Sequence, residues 1–295
     1  MLENLLTEQS YEPSRELHKL STLECLEMMN RADAEVPQAV AREIPAIGRA
    51  ADAIAAAIEN SGRLFYIGAG TSGRLGVLEA AEWPPTFHTP PELTCALIAG
   101  GDAALRRSTE GAEDDPEAGA RDLIRSRFSP RDVLVAISAS GRTPYVLGAA
   151  AEARRQGAVT CGISCTARSD LSRAVDHPIE PLCGPEVLAG STRLKAATAT
   201  KLVLNMIGIA VMLKLGHLYG NWMINVQPSN SKLEDRARRV IQGIAGVSFE
   251  RASELLDQAA GNVRTAIVME RKHLPREEAE QLLVRARGRL AEVLG

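Results

Sequence analysis

Apolar positions follow two different periods along this chain, and the change between them falls near Arg63. Within VPQAVAREIPAIGRAADAIAAAIEN, from Val36 to Asn60, they recur at the spacing of one helical face, and Asn60-Ser61-Gly62 supplies residues suited to closing a helix. The more polar stretch before it also reads as helical, with Ser14 or Ser21 as its N-cap, so residues 1–60 are expected to form an N-terminal helical segment built on a helix pair. After Arg63, short apolar runs alternate with longer amphipathic ones: LFYIGAG, LTCALIAG near Leu93, DVLVAISAS from Asp132, AVTCGISC from Ala158 and HPIEPL near His177. A strand buried on both faces shows no alternation, so this rhythm predicts βα units around a parallel sheet.

The predicted fold is therefore α/β, a parallel sheet sandwiched by helices over residues 61–225. The run TRLKAATATKLVLNMIGIAVMLKL, from Thr192, is apolar nearly all round after Leu202 and is expected to be a buried helix, packed against another subunit. Beyond Asn221-Trp222 and the Gln227-Pro228-Ser229-Asn230 turn, the chain becomes charged and amphipathic. Gly246-Val247-Ser248, Gly261-Asn262 and Leu274-Pro275 punctuate residues 226–295 into a small C-terminal bundle of three or four helices.

Composition narrows the function. The 295 residues are 45% hydrophobic and 24% charged, enough for a sizeable core, while the net charge of −3 and 3% aromatic content offer neither a basic face nor stacking platforms for nucleic acid. No apolar run is read as approaching the ~20 residues that cross a bilayer, and the start MLENLLTEQSYEPSREL lacks the pattern of a signal peptide, so a cytoplasmic protein with no membrane partner is expected. Cys25, Cys95, Cys161, Cys165 and Cys183 are odd in number and irregular in spacing, which argues against a disulfide framework. Cys161 and Cys165 are four apart, with only His177 nearby, so no metal is expected.

The first three apolar runs end in small residues: Gly68-Ala69-Gly70, Ala99-Gly100-Gly101 and Ser138-Ala139-Ser140-Gly141. Ligands of open parallel sheets bind beyond the carboxyl ends of the strands, so these loops should converge on one site. Gly70-Thr71-Ser72-Gly73 opens one helix, and Ser138 to Pro144, with Ser140, Gly141 and Thr143 between, opens another. Two hydroxyl-bearing helix N-termini at neighbouring strand ends suit a phosphate gripped from two sides. Gly68, Gly70 and Gly73 match G-x-G-x-x-G, but no acidic residue closes a second strand to hold a ribose, so no dinucleotide cofactor is expected.

Carboxylates flank this region. Glu79 and Glu82 share a helical face, and Trp83 before Pro84-Pro85 is expected to end that helix, placing a carboxylate at the negative end of the dipole where a general acid is favoured. Glu110, Glu113, Asp114 and Asp115 form a second group. The two aspartates read as caps of a helix starting near Pro116, which leaves Glu110 and Glu113 for chemistry. Lys195 and Arg193 are candidates for neutralising a phosphate or polarising a carbonyl.

The segments GAGTSGRLGVLEAAEWPPTF, IAGG, STEGAEDD, ISASGRTPYV, GISC and EVLAGSTRLKAATATKLVLNM resemble the N-acetylmuramic acid 6-phosphate etherases, a family of the sugar isomerase (SIS) superfamily related to glucokinase-regulator-like proteins. The likeness runs from Leu5-Leu6-Thr7-Glu8-Gln9 through the C-terminal helices. It implies a SIS-type sheet and cleavage of the ether between C3 of the sugar and D-lactate, giving N-acetylglucosamine 6-phosphate in cell-wall sugar recycling. By motif the two glutamates of the family fall on Glu82 and Glu113.

Opening the sugar to its aldehyde makes the C2 proton acidic and places the C3–O bond beta to the carbonyl, so lactate can be eliminated and water added back. Glu82 is assigned as acid and Glu113 as base, and the roles can be exchanged without altering the scheme. Ser72 and Glu82 are ten residues apart, about 15 Å of straight helix. Either the helix breaks near Gly76 or one carboxylate comes from a second subunit, and a homodimer is expected. Two other classes remain open: a non-catalytic sugar-phosphate sensor, which would not need Glu82 and Glu113, and an aldose–ketose isomerase, which needs a base at C2 but no acid at C3.

Overall fold

Five apolar runs become five parallel strands, β1 (Leu64–Gly68), β2 (Thr94–Ile98), β3 (Val133–Ile137), β4 (Val159–Ile163) and β5 (His177–Ile179), in the order β2-β1-β3-β4-β5. The computed structural model describes residues 6–109, 111–228 and 230–295, so Leu5, Glu110 and Ser229 of the sequence reading lie outside the described residues. Every residue of β1 and β3 is buried, which is why neither alternates in polarity. Gly68 of β1 is in register with Ile137 of β3 and with Ile98 of β2. The strand order reverses at β1, so the loops after β1 and β3 flank the switch point where such sheets bind ligands.

Two compact units make up the chain. The first holds the residues up to Ala81 and Glu92–Gly208; the second holds Glu82–Pro91 and Ile209–Gly295. Ahead of the sheet, the expected helix pair is three helices, α1 (Thr22–Asp33), α2 (Val36–Ala41) and α3 (Ile44–Glu59). Pro37 and Pro45 explain the extra break, because proline fits the first turn of a helix but not its interior. Ser21, not Ser14, caps α1: its hydroxyl accepts the Glu24 N–H while the Glu24 carboxylate accepts the Ser21 N–H at 2.8 Å.

Helix α4 (Gly70–Phe87) connects β1 to β2, and α5 (Ala103–Arg106) and α6 (Pro116–Arg125) connect β2 to β3. Helices α7 (Pro144–Arg155) and α8 (Asp170–Ala174) make the next two crossovers, and α9 (Lys195–Lys214) follows β5. One sheet face buries Phe65, Ile67, Leu134 and Ala136 with Leu123, Tyr145, Val146, Ala149 and Ala150, and Phe128 meets the Phe65 ring edge-on at 5.1 Å.

The α4 helix corrects one expectation. It does not stop at Trp83 but continues through Pro84 and Pro85 to Phe87. Pro84 has no N–H for the carbonyl of Ala80, and Thr94 supplies the missing donor, its hydroxyl reaching that oxygen at 3.0 Å. The helix is also unbroken at Gly76, so Ser72 and Glu82 stay about 15 Å apart along it.

Helix α9 corrects a second expectation. It is 20 residues long, and an 18-residue stretch of it at mean hydropathy 1.7 is long and apolar enough to cross a bilayer by length and composition. Half of that stretch is buried within the protein, Val203, Leu204, Ile207, Val211 and Met212 among it. In the second unit, a two-stranded hairpin of β6 (Leu218–Tyr219) and β7 (Trp222–Met223) precedes five helices rather than three or four: α10 (Ser231–Ala245), α11 (Phe249–Gln258), α12 (Val263–Lys272), α13 (Arg276–Arg285) and α14 (Leu290–Leu294). Asn230, Ser248 and Asn262 cap α10, α11 and α12 through their side chains.

Candidate functional site

At the end of β1 the chain turns directly into α4 through Gly70, which adopts φ +52°, so the helix begins two residues before Ser72 and carries Thr71 and Ser72 in its first turn. A Cβ on Gly73 would lie 2.6 Å from the Ile98 side chain and 2.8 Å from the Gly68 carbonyl, so glycine lets the helix start seat against the sheet. Neither hydroxyl of Thr71 and Ser72 has a side-chain hydrogen bond among the described residues, and both stay available at the helix N-terminus.

One strand over, the loop after β3 gathers its hydroxyls. The Ser138 Oγ lies 2.9 Å from Thr143 Oγ1 and 3.5 Å from Ser140 Oγ, and the Ser140 Oγ accepts the Arg142 N–H. Gly141 turns the loop at φ +68° against Ser169, where a Cβ would lie 2.2 Å from the serine Cβ. Thr143 is the N-cap of α7 but its hydroxyl is spent on Ser138 rather than on capping. Three hydroxyls linked through Ser138 at a helix N-terminus form a polar nest that an anion can enter by displacing those bonds.

On the other side of β1, a cavity of about 270 Å³ opens between the loops after β1 and β2. Gly70 and Arg74 line it from α4, and Ser108, Thr109, Gly111 and Glu113 from the segment ahead of α6. The exposed Glu113 sits in a turn held where its own carbonyl accepts the Tyr145 N–H at 3.0 Å. Asp115 caps α6 by accepting the Ala118 N–H at 2.9 Å; this takes up one of the two aspartates expected as caps, while Asp114 makes no such bond.

The carboxylates of α4 separate cleanly. Glu79 is buried and paired with the Lys201 ammonium at 2.9 Å, a structural commitment within the first unit. Nearby, the fully buried Tyr66 hydroxyl has no hydrogen-bond partner among the described residues, and burial, with the Glu79 charge adding to it, pushes its pKa well above the ordinary value, so it stays protonated. Glu82 is exposed and makes no ion pair among the described residues. Because α4 continues to Phe87, Glu82 lies more than a turn from the helix end, and the dipole argument for its acidity does not reach it.

Lys195 is the first residue of α9, and its ammonium is buried against the carbonyl of Cys183 at 2.7 Å, over the Tyr11 ring at 5.1 Å and 4.0 Å from Glu35. Glu186 accepts the N–H groups of Lys195 and Ala196, both at 2.9 Å, and closes the N-terminus of α9. The Cys183 thiol is lowered from its ordinary pKa, first by a hydrogen bond with Cys165 and further by the Lys195 charge. No hydrogen bond joins Lys195 to Ser138, Ser140 or Thr143 among the described residues. The residue overlooked in the sequence is Arg74. Its guanidinium is drawn to the end of α5, donating to the carbonyls of Ala104 at 2.7 Å and Leu105 at 3.2 Å.

Residues 46–154 match the family described as glucokinase regulatory protein N-terminal SIS domain, and residues 107–210 match the SIS domain family. The chain is 47% identical to an N-acetylmuramic acid 6-phosphate etherase of Rhodopirellula baltica, over 99% of this chain and 97% of that protein. It is 51% identical to one of Rubrobacter xylanophilus, over 90% of this chain and 89% of that protein. Among solved structures, a phosphoheptose isomerase from Francisella tularensis shares the fold at a TM-score of 0.51 and 18% identity, over 65% of this chain and 98% of that one.

Proposed function

We propose that this chain, which belongs to the N-acetylmuramic acid 6-phosphate etherase family, cleaves the D-lactyl ether of N-acetylmuramic acid 6-phosphate, giving N-acetylglucosamine 6-phosphate and D-lactate in amino-sugar and cell-wall recycling. The phosphate sits against Thr71, Ser72, Ser138, Ser140 and Thr143, where N-terminal N–H groups of α4 and α7 add to the hydroxyls. With the ring open, the aldehyde acidifies the C2 proton. Glu113 removes it, Glu82 protonates the departing lactate oxygen, and water then adds at C3 of the unsaturated aldehyde. Lys195 is assigned to neutralising charge beside this site. The observation that chiefly supports the reading is the opening of Glu113 into the cavity that the start of α4 also lines.

A homodimer supplies what one chain lacks. Glu82 lies about 15 Å along an unbroken helix from Ser72, so the acid at each site is Glu82 of the partner subunit. On α9, Met206, Ile209 and Leu213 follow helical spacing and are 39%, 53% and 59% exposed, an apolar stripe that a second copy would cover. The protein acts in the cytoplasm.

Purified protein should release lactate from N-acetylmuramic acid 6-phosphate, and Glu82→Gln and Glu113→Gln should each lower turnover by about 10²–10⁴-fold with the circular dichroism spectrum unchanged. Solvent deuterium separates the roles. The variant lacking the acid should still exchange the C2 proton, and the variant lacking the base should not. Undiminished turnover in both variants would refute the mechanism.

A further inference from the structure

We infer that Arg74 recognises the carboxylate of the lactyl group and so selects the ether substrate over the product sugar phosphate, an inference that rests on the reading above. Arg74 shares the 270 Å³ cavity with Glu113. Two of its N–H groups are tied to the carbonyls of Ala104 and Leu105, which present only the negative ends of dipoles. No carboxylate pairs with it within 4.0 Å among the described residues, where carbonyl dipoles alone orient its charge. The guanidinium fork keeps further donors for a ligand, and its planar geometry matches a carboxylate bidentately.

The substrate carries two anions, a phosphate on C6 and a carboxylate on the group attached at C3. The hydroxyl nest belongs to the β3 side of β1, and the Arg74 cavity to the β2 side. One to two strand spacings, about 5–10 Å, separate these positions across the sheet. Phosphate on one side and lactyl carboxylate on the other orient the sugar across the end of β1 and bring its C2–C3 bond to Glu113. N-acetylglucosamine 6-phosphate has no second anion for Arg74.

The test compares ligands within each protein, so a loss of folded fraction cannot imitate the result. Binding of the lactyl carboxylate substrate and of its lactyl carboxamide analogue is measured by calorimetry in the Glu113→Gln background, where turnover is suppressed, with Arg74 intact or changed to Gln or Lys. With Arg74 present, the carboxylate should bind about 10–100-fold tighter than the carboxamide, as a charge-assisted hydrogen-bonded pair requires. Arg74→Gln should abolish that preference, Arg74→Lys should keep part of it, and binding of N-acetylglucosamine 6-phosphate should change by less than about twofold. An equal loss for all three ligands would assign Arg74 to holding α5 alone and overturn the inference, as would an undiminished preference. Lactate release by the unaltered enzyme tests the etherase reading separately.

Discussion

Asp132 carries more of the sheet than its single charge suggests. Its carboxylate accepts the Arg63 N–H at 2.7 Å, the Arg63 guanidinium at 2.9 Å, and the Ser129 N–H and hydroxyl at 2.8 and 3.0 Å, so the start of β1 is tied to the start of β3. Burial alone would raise its pKa, but these donors outweigh burial and hold it below the ordinary carboxylate value. Between that lowered value and the ordinary one near 4, the unfolded chain binds more protons than the folded one. The stabilisation is therefore complete above about pH 4 and is lost as pH falls through the folded value. Asp132→Asn should cost about 3 kcal/mol near neutrality, and the gap from the parent in urea denaturation should narrow in acid. A gap independent of pH would mean that the charge is not its source. At this scale the hydroxyls of Ser138, Ser140 and Thr143 were legible in the sequence, because turn chemistry is local, whereas the work of Arg74 was not, because its acceptors lie 30 residues away or more.

Among the elements, α4 departs furthest from its sequence signals. Proline disfavours the helical conformation in the residue before it, yet the helix crosses two prolines. The carbonyl of Ala80 would be left without a partner, and the Thr94 hydroxyl at the start of β2 provides one. Thr94→Val preserves shape while removing that donor, so it should lower stability by about 1–3 kcal/mol in chemical denaturation. A neutral result would mean that the carbonyl is satisfied otherwise. The same extension of α4 removes Glu82 from the helix end, so the acid role proposed for it rests on motif rather than on the dipole. Strand identities were readable because burial on both faces leaves an unbroken apolar run, and the three N-terminal helices follow from Pro37 and Pro45.

For the whole molecule, the decisive question is whether the two glutamates proposed for one site come from one chain or from two. In a symmetric dimer whose site takes Glu113 from one subunit and Glu82 from the other, a mixed dimer of Glu82→Gln and Glu113→Gln chains contains one intact site and one doubly altered site. Co-refolding equal amounts of the two inactive variants should therefore restore about a quarter of the parent lactate release, since about half of the dimers are mixed. No recovery would place both groups of a site on a single chain. The sequence by itself determined the parallel sheet, the small-residue loops at its carboxyl end and the family, since each is written in contiguous residues. Only the tertiary structure decided that α4 passes through its prolines, that Glu79 is committed to Lys201 while Glu82 is not, and that Arg74 faces the cavity of Glu113. Each of these depends on a partner from another element, and the preferences of neighbouring residues carry no record of it.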